Sequence, residues 1–208
     1  MIKIFDIKNT NLSTQQVAKY LLGTKLISET SEGITAGWIV ETEAYLGAID
    51  MAAHTYRYRS TPRVEAMYDK AGTIYLYNMM GNILLNIVTK EKGNPEAVLI
   101  RAVQPVLGLE LMEQRRGKKK YEITNGPGKM TQAMGITMAE YGHSITKPPL
   151  YIDFSNQKKA ETILTTPRIG IPNKENWTKA PLRYIVEGNP YVSRRKGKID
   201  KNNYGWKT

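Results

Sequence analysis

Two glutamates stand two residues apart in a stretch that alternates like a β-strand. From residue 37 to residue 46, a period of two places Glu41 and Glu43 on one face, together with Ile39 and Tyr45. A carboxylate on such a face can act as a general base that deprotonates water. The opposite face is the apolar one and is expected to pack into the core. The alternation does not choose between the two glutamates, and such pairs are also common surface decoration.

An arginine interrupts the otherwise apolar strand pattern of residues 97–103. Arg101 needs an anionic partner there, because an unpaired buried guanidinium is costly. Glu43 and Glu41 are the natural candidates for that partner. A purely structural ion pair explains the pattern as well as a catalytic contact does, so both interpretations stay open.

Residues 72–86 have the pattern of a β-hairpin, with residues 78–82 as the predicted turn. The tip carries Met79 and Met80, whose apolar side chains are unfavourable in water. One interpretation places them in the core; the other makes them a wedge that unstacks a base step in the DNA minor groove. Asn86 on the return strand offers an amide that can distinguish base edges, although an asparagine at a strand end needs no such role.

The segment 125–129, with the sequence NGPGK, precedes a predicted helix. Its free backbone N–H groups, its glycines and Lys129 make it a candidate seat for a phosphate. It lacks the Gly-Lys-Ser/Thr block of the nucleotide hydrolases. A simple turn from loop to helix explains the same residues equally well.

Charge and missing residue types narrow the chemistry. The 208 residues carry 30 Lys and Arg against 19 Asp and Glu, a net charge of +11. This excess favours a polyanionic partner, nucleic acid before acidic membrane. The chain has no cysteine and two histidines, His54 and His143. Thiol nucleophiles, disulfides, iron–sulfur ligation and the zinc site of a base deaminase are therefore excluded.

The elements that must position these residues are hairpins mixed with scattered helices. Ser13 to Gln16 form a capping box for a first helix that should stop at Gly23. Further helices are predicted from about residue 108 to 116 and from a start within residues 125–129 through Met134. Strands are predicted at 37–46, 73–78, 97–103, 150–154 and 182–187. The pattern indicates an α+β fold: a single mixed domain with antiparallel strands, a protruding β-hairpin and surrounding helices.

No repeat or linker divides the chain, so one domain is expected over residues 1–193. Residues 194–208 are basic and polar and are expected to form a flexible tail. No apolar run approaches the roughly 18 residues of a membrane span. The first residues lack the features of a signal peptide, so the cytosol is the expected location.

Eight short blocks occur in the order found in one known family. They are VETEAYLG (40–47), AAH (52–54), TPR (61–63), GTIYLY (72–77), LIRA (99–102), GPGK (126–129), RIG (168–170) and PLR (181–183). Together they resemble the alkyladenine (3-methyladenine) DNA glycosylase family. The resemblance implies an enzyme that flips a damaged nucleotide into an aromatic pocket and hydrolyses its glycosidic bond, leaving an abasic site.

The resemblance also implies roles for single residues. Glu43 corresponds to the general base, Arg101 to its partner in holding the water, and the backbone carbonyl of Ile169 to a third water ligand. Asn86 resembles the residue that rejects normal purines by their exocyclic amino groups. The implied pocket walls are Tyr45, His54 and Tyr77. The implied phosphate contacts are Thr61, Arg63, Gly128 and Lys129.

The expected partner is double-stranded DNA that contains alkylated or deaminated purines, bound by a monomer without metal or organic cofactor. The family usually has a tyrosine at the hairpin tip, where this chain has Met79 and Met80, and the segment 81–86 is one residue shorter than the common pattern. A thioether stacks less well than a ring, so we expect weaker or broader engagement of DNA.

Two other functions compete with base excision. A metal-dependent nuclease could use Glu41, Glu43 and Asp50 around a magnesium ion. A non-catalytic module that binds damaged DNA needs only the basic charge and the wedge.

Overall fold

A curled antiparallel sheet forms the centre of the molecule, seen in a computed structural model that describes residues 6–208. Its strands, numbered in chain order, are β1 (Lys25–Thr30), β2 (Gly33–Tyr45), β3 (Ile74–Met79), β4 (Asn82–Val88), β5 (Ala97–Leu107), β6 (Leu150–Asp153), β7 (Ile163–Thr166) and β8 (Arg183–Val186). The order across the sheet is β3-β4-β5-β2-β1-β6. β8 pairs with the second half of β2 and with β7. The longest strand, β2, therefore has partners along both edges.

Helices cover the sheet. They are α1 (Thr14–Leu21), α2 (Leu109–Arg116), α3 (Pro127–Met134) and the single turn α4 (Asn176–Lys179). The predicted capping box is present, because Ser13 accepts the N–H of Gln16 while the Gln16 side chain accepts the N–H of Ser13. This arrangement satisfies two N–H groups that would otherwise lack partners at the helix start. The predicted α+β class and single mixed domain are confirmed.

Both faces of β2 are covered, whereas the sequence predicted burial of the apolar face alone. Every side chain from Thr35 to Ala44 is buried. Helix α1 packs on one face, where the hydroxyl of Thr42 donates a 2.8 Å hydrogen bond to the carbonyl of Ala18. On the other face, arginines from neighbouring strands neutralise the glutamates. The polar face can be buried because its charges are paired.

The hairpin turn is shorter than the predicted span of residues 78–82. Met79 pairs with Asn82, so Met80 and Gly81 alone form the turn. Both have positive φ, 50° and 78°, the conformation of the two-residue turns that match strand twist. Met80 is 95% exposed and Met79 is 50% exposed. The interpretation of these methionines as core residues is therefore wrong.

The last residues of the chain are packed, so the prediction of a flexible tail over 194–208 is wrong at its end. Trp206 is 3% exposed, and its indole N–H donates a 2.8 Å bond to the side-chain oxygen of Gln104. The N–H of Lys207 donates to the carbonyl of Lys159. A tryptophan that can fill a gap between strands outweighs the basic composition around it. Residues 1–5, which belong to the predicted domain, lie outside the described part of the chain.

None of the helices between residues 6 and 208 combines the length and apolar composition that a membrane crossing requires.

Candidate active site

One row of side chains runs across four strands of the sheet. In the strand register Glu43 stands opposite Leu99, Leu99 opposite Asn86, and Asn86 opposite Tyr75. Directly opposed residues of an antiparallel pair point to the same face. Residues from β2, β5, β4 and β3 therefore meet on one side of the sheet, although they span residues 43 to 99.

Glu43 lies at the end of this row and is fully buried. Its Oε1 accepts a 2.8 Å bond from the backbone N–H of Ile169 and lies 3.3 Å from a terminal nitrogen of Arg101. Its Oε2 accepts a 2.9 Å bond from the hydroxyl of Tyr45. A carboxylate has roughly four acceptor positions. Among the described residues, Oε1 thus has two donors and Oε2 has one.

Burial raises the pKa of Glu43 above its ordinary value of 4.5, because a charged carboxylate loses its hydration there. Arg101 and the N–H of Ile169 act in the opposite direction by stabilising the ionised form, and the charge of Glu41 adds to the rise. A carboxylate with a raised pKa is a stronger base once it is ionised. Burial and the charge of Glu43 raise the pKa of Tyr45, so its phenol stays protonated as a donor.

Glu41 has a different environment, which separates the two glutamates. Its Oε1 accepts bonds from Nε of Arg101 (2.7 Å), Nε of Arg183 (2.7 Å) and the hydroxyl of Ser193 (2.8 Å), and its Oε2 accepts the N–H of Ser193 (2.7 Å). Glu41 thus has four protein donors, three of them on Oε1, whereas Glu43 has three. Glu41 therefore holds Arg101 through Nε, and a terminal nitrogen of the same guanidinium faces Glu43. The expectation that Arg101 pairs with Glu43 or Glu41 is confirmed for both.

A cavity of about 390 Å³ opens on the Glu43 side of the sheet. Seven of the predicted site residues line it: Tyr45, His54, Tyr77, Met79, Asn86, Arg101 and Ile169. Glu43 lies directly behind Tyr45, Arg101 and Ile169. It accepts hydrogen bonds from Tyr45 and Ile169 and pairs with the charge of Arg101. The cavity is mostly apolar and aromatic, with a few polar groups, as pockets for planar organic ligands are.

The aromatic wall of the cavity is held together by contacts between its rings. The rings of His54 and Tyr77 are in contact, with centroids 4.1 Å apart and planes tilted by 39°, and Nδ1 of His54 lies 2.8 Å from the hydroxyl of Tyr75. Burial lowers the pKa of His54 below 6.5, and the charges of Arg63 and Arg59 lower it further. The imidazole is therefore neutral at neutral pH and presents an uncharged face to a ligand.

Asn86 sits on the floor beside this wall. Its amide nitrogen lies 3.3 Å from the carbonyls of both Tyr75 and Leu84, so the backbone fixes the orientation of the amide group. The side chain is 8% exposed and lines the cavity. A fixed amide in a small cavity can discriminate between bases by their hydrogen-bonding edges.

Comparison with known proteins shows that residues 8–190 match the family model described as methylpurine-DNA glycosylase. The chain belongs to the methylpurine-DNA glycosylase family. It is thus an enzyme that excises alkylated bases from DNA in repair.

Three relatives of this glycosylase, each provisionally named a 3-methyladenine DNA glycosylase, show the extent of the similarity. The chain is 50% identical to the Enterococcus faecalis protein over 208 residues, which covers 99% of this chain and 89% of that protein. It is 48% identical to the Lactiplantibacillus plantarum protein, covering 94% of each. It is 52% identical to the Staphylococcus carnosus protein, covering 88% of this chain and 90% of that protein.

The predicted phosphate contacts of the glycosylase lie outside the lining of the cavity. Thr61 and Arg63 belong to a segment beside it, where Arg63 is exposed with its guanidinium 5.2 Å from the Tyr77 ring. Lys129 donates a 2.8 Å bond to the side chain of Asn125. Gly128 lies so close to Asn82 that a Cβ would approach its side-chain oxygen to 2.7 Å. The NGPGK segment therefore packs against the hairpin next to its turn.

The hairpin tip lies partly at the cavity. Met79 lines it, whereas Met80 projects beyond it into solvent. Ile169 contacts Glu43 through its N–H, which donates to Oε1, while the role of its carbonyl as a ligand of water stays a prediction.

Four residues at the site were not predicted from the sequence. Tyr75 is 2% exposed and lines the cavity, and its place on the face of Tyr77 was the available signal. Lys174 and Arg194 also line the cavity from loops without periodicity, so no pattern indicated them. Arg168, next to Ile169, makes a buried ion pair with Asp50.

The carboxylates of the nuclease hypothesis are each engaged by arginine. Glu41 binds Arg101 and Arg183, and Asp50 binds Arg168. Within residues 6–208, no group of three or more His, Cys, Asp or Glu side chains is arranged to hold a metal ion. Carboxylates that are paired with arginines in this way are less suited to share a metal ion. The arrangement therefore favours a role in holding the arginines and Glu43 in place.

Proposed function

We propose that this glycosylase binds double-stranded DNA as a monomer, turns a damaged purine nucleotide into the cavity and removes its base by hydrolysis. The observation that carries the proposal is the setting of Glu43. It is a buried base with a raised pKa, directly behind a cavity lined by Tyr45, Tyr77 and His54, and it has a free acceptor position on Oε2.

The chemistry follows from that free position. A water molecule gives a proton to Oε2 of Glu43 while its oxygen forms a bond to C1′ of the sugar. The bond from C1′ to the base nitrogen breaks, and its electron pair leaves with the base. The charge of Glu43 stabilises the positive character that the sugar develops. Arg101 holds the carboxylate in place, and its charge favours the ionised form. The product is an abasic site in an intact strand.

The cavity suits alkylated purines for an electrostatic reason. Alkylation at N3 or N7 makes the base cationic, and each tyrosine face attracts a cation by about 0.5–2 kcal/mol. Such a base also leaves readily, because it departs as a neutral molecule. We infer that 3-methyladenine and 7-methylguanine are substrates, and that deaminated purines of the hypoxanthine type fit the same space. Asn86 then discriminates against normal purines through its fixed amide.

Binding to DNA requires a wedge and phosphate contacts. Met80 at the exposed hairpin tip fills the gap that the flipped nucleotide leaves. Lys174 and Arg194 at the cavity are positioned for the phosphates that flank this nucleotide. Phosphates further along the duplex meet the residues proposed from the sequence: Thr61, Arg63, Gly128 and Lys129. Because phosphate contacts release counterions, binding should weaken steeply with salt.

Base release from defined duplexes tests this proposal. Duplexes with a single 7-methylguanine or hypoxanthine are incubated with the enzyme and EDTA, and abasic sites are scored by cleavage in alkali. Glu43→Gln should bind these duplexes but release no base, whereas Glu110→Gln, at an exposed position on α2, should act like wild type. Base release by Glu43→Gln at the wild-type rate would contradict the assigned base.

The same assay separates hydrolysis from other chemistry. Strand breaks that are present before alkali treatment, and that disappear when EDTA is added, would indicate a nuclease instead. Lys174 is the single lysine that lines the described cavity, so covalent trapping by borohydride would indicate an amine nucleophile and contradict hydrolysis.

A further inference from the structure

A buried ion pair lies outside the cavity lining, behind Tyr45. The side chains of Asp50 and Arg168 are both fully buried, and they form two parallel bonds of 2.5 Å and 2.9 Å. The nitrogen that makes the shorter bond also donates a 3.0 Å bond to the carbonyl of Ala44. Bidentate pairs of this kind fix geometry more strongly than single contacts do. Arg168 thus grips the backbone of β2 between Glu43 and Tyr45.

Arg168 reaches both oxygens of Glu43 through one intermediary each. Its guanidinium carbon lies 4.6 Å from the ring centroid of Tyr45, whose hydroxyl donates to Oε2. The residue that follows it, Ile169, donates its N–H to Oε1. Displacement of this one side chain would therefore disturb two of the three donors of Glu43.

Asp50 extends the same network in the other direction. Besides binding Arg168, its oxygens accept the N–H groups of Leu46 (3.1 Å) and Ala52 (2.9 Å). These bonds fix the path of the chain from the end of β2 toward His54. The pair therefore sets both the carboxylate and the start of the aromatic wall.

The arrangement is not the one that stability alone would favour. Nε of Arg168 is buried and is the one such side-chain atom without a hydrogen-bond partner between residues 6 and 208. A buried donor without an acceptor is unfavourable, and so is a buried charge. Strained or unsatisfied groups that persist next to a reactive group indicate a functional constraint.

We propose that the Asp50–Arg168 pair positions Glu43 for attack by water, through the ring of Tyr45 on one side and the backbone of Ile169 on the other. The inference rests on the proposed role of Glu43 as the base. Neither Asp50 nor Arg168 lines the cavity, so they are positioning residues and not catalytic residues. The hydrogen bonds that Glu43 accepts from Tyr45 and from the N–H of Ile169 also lower its pKa.

Arg168→Lys tests the proposal, because lysine keeps the charge but loses the bidentate bond and the flat contact with Tyr45. The single-turnover rate of base release should fall by about 10–100-fold, since a small displacement of a catalytic group has an effect of that order. The dissociation constant for a lesion duplex should change by less than about threefold, because every side chain that lines the cavity is retained. The acidic limb of the rate profile should move to higher pH.

Arg115→Lys is the matched control. Arg115 also binds a carboxylate, that of Glu32, and it further bonds Thr30 and the carbonyl of Ala133, away from the cavity. Arg115→Lys should change thermal stability. It should change neither the rate of base release per folded molecule nor the acidic limb of the rate profile. If Arg168→Lys does not fold, the double variant Asp50→Asn/Arg168→Gln removes both buried charges and is judged by the same readouts.

The outcomes separate this inference from the proposed function. Loss of rate with an upward shift of the limb supports the positioning role. A wild-type rate and an unshifted acidic limb of the rate profile, in whichever of the two variants folds, would overturn the positioning role. Failure of both variants to fold would also overturn it, because the pair would then act in stability alone. Base release by Glu43→Gln would instead overturn the proposed function itself.

Discussion

The backbone N–H of Ile169 donates a 2.8 Å hydrogen bond to Oε1 of Glu43, which precedes it by 126 residues. This bond joins the central strand β2 to the loop after β7. It also fixes which carboxylate oxygen can act, because Arg101 lies against the same oxygen. The other oxygen, Oε2, is left with the hydroxyl of Tyr45 and a free acceptor position.

The pH dependence of base release should reflect the raised pKa of Glu43. The base works only when ionised, so activity should fall as the pH drops through that pKa, and the acidic limb should lie above pH 4.5. Arg101→Gln should shift the limb upward, because the guanidinium charge lowers the pKa. Single-turnover rates across pH measure both effects. A limb that moves downward in this variant would contradict the electrostatic role of Arg101.

The stability of Glu43→Gln should depend on pH relative to wild type. A carboxyl group with a raised pKa in the folded state contributes its stability fully below the unfolded value near 4.5, and this contribution is lost as the pH rises through the folded pKa. Glutamine does not titrate. The unfolding free energy of the variant minus that of wild type should therefore increase with pH. Urea titrations at several pH values measure the difference, which Glu110→Gln should not show.

Met80→Ala should separate the wedge from the chemistry. The side chain is 95% exposed, so thermal stability should not change. Base release from duplex DNA should fall far more than release from single strands, because only the duplex needs its stacking gap filled. Leu109→Ala, at another exposed apolar position, is the control. Equal losses on both kinds of DNA would exclude a wedge.

His54 should titrate below pH 6.5, and Arg63→Gln should bring its pKa closer to that value. Removal of the guanidinium charge weakens the repulsion that disfavours the imidazolium ion. NMR can follow this, because the chain has only two histidines and the signals of His54 are easily distinguished. A pKa of His54 that is unchanged in the variant would assign the shift to burial and Arg59.

Trp206→Ala should destabilise the fold by about 3–5 kcal/mol, the usual effect of deleting a buried aromatic side chain. For a domain of this size, the Tm should fall by roughly 6–20 °C. Lys201→Ala, at an exposed position in the same segment, should leave the Tm within about one degree. Unchanged unfolding of Trp206→Ala would mean that the segment frays in solution.

The sequence predicted elements where periodicity and capping are local properties. The capping box at Ser13, the alternation of β2 and the hairpin were readable because each depends on neighbours within a few residues. The turn at Met80 and Gly81 was placed too broadly, because asparagines at residues 78 and 82 also favour turns. The packed end at Trp206 was missed because its partner Gln104 is 102 residues away.

The site was predictable to a similar degree. Strand parity put Glu41 and Glu43 together, and the lone charge at Arg101 required a carboxylate. The distinction between the two glutamates depends on Ser193 and Ile169, which no local pattern connects to β2. The resemblance to the family supplied the register that spacing alone did not.

The hydrogen bonds of Glu41 and Glu43 have a consequence for the synthesis of the chain. Glu43 meets its donor 126 residues later, and Glu41 meets Ser193 152 residues later. At about 5–20 residues per second of synthesis, roughly 6–25 s separate the translation of Glu43 from that of Ile169. A growing chain that already carries its base and its aromatic wall has no assembled water site. The contacts of both glutamates can therefore form only in a chain that has been synthesised past Ile169 and Ser193.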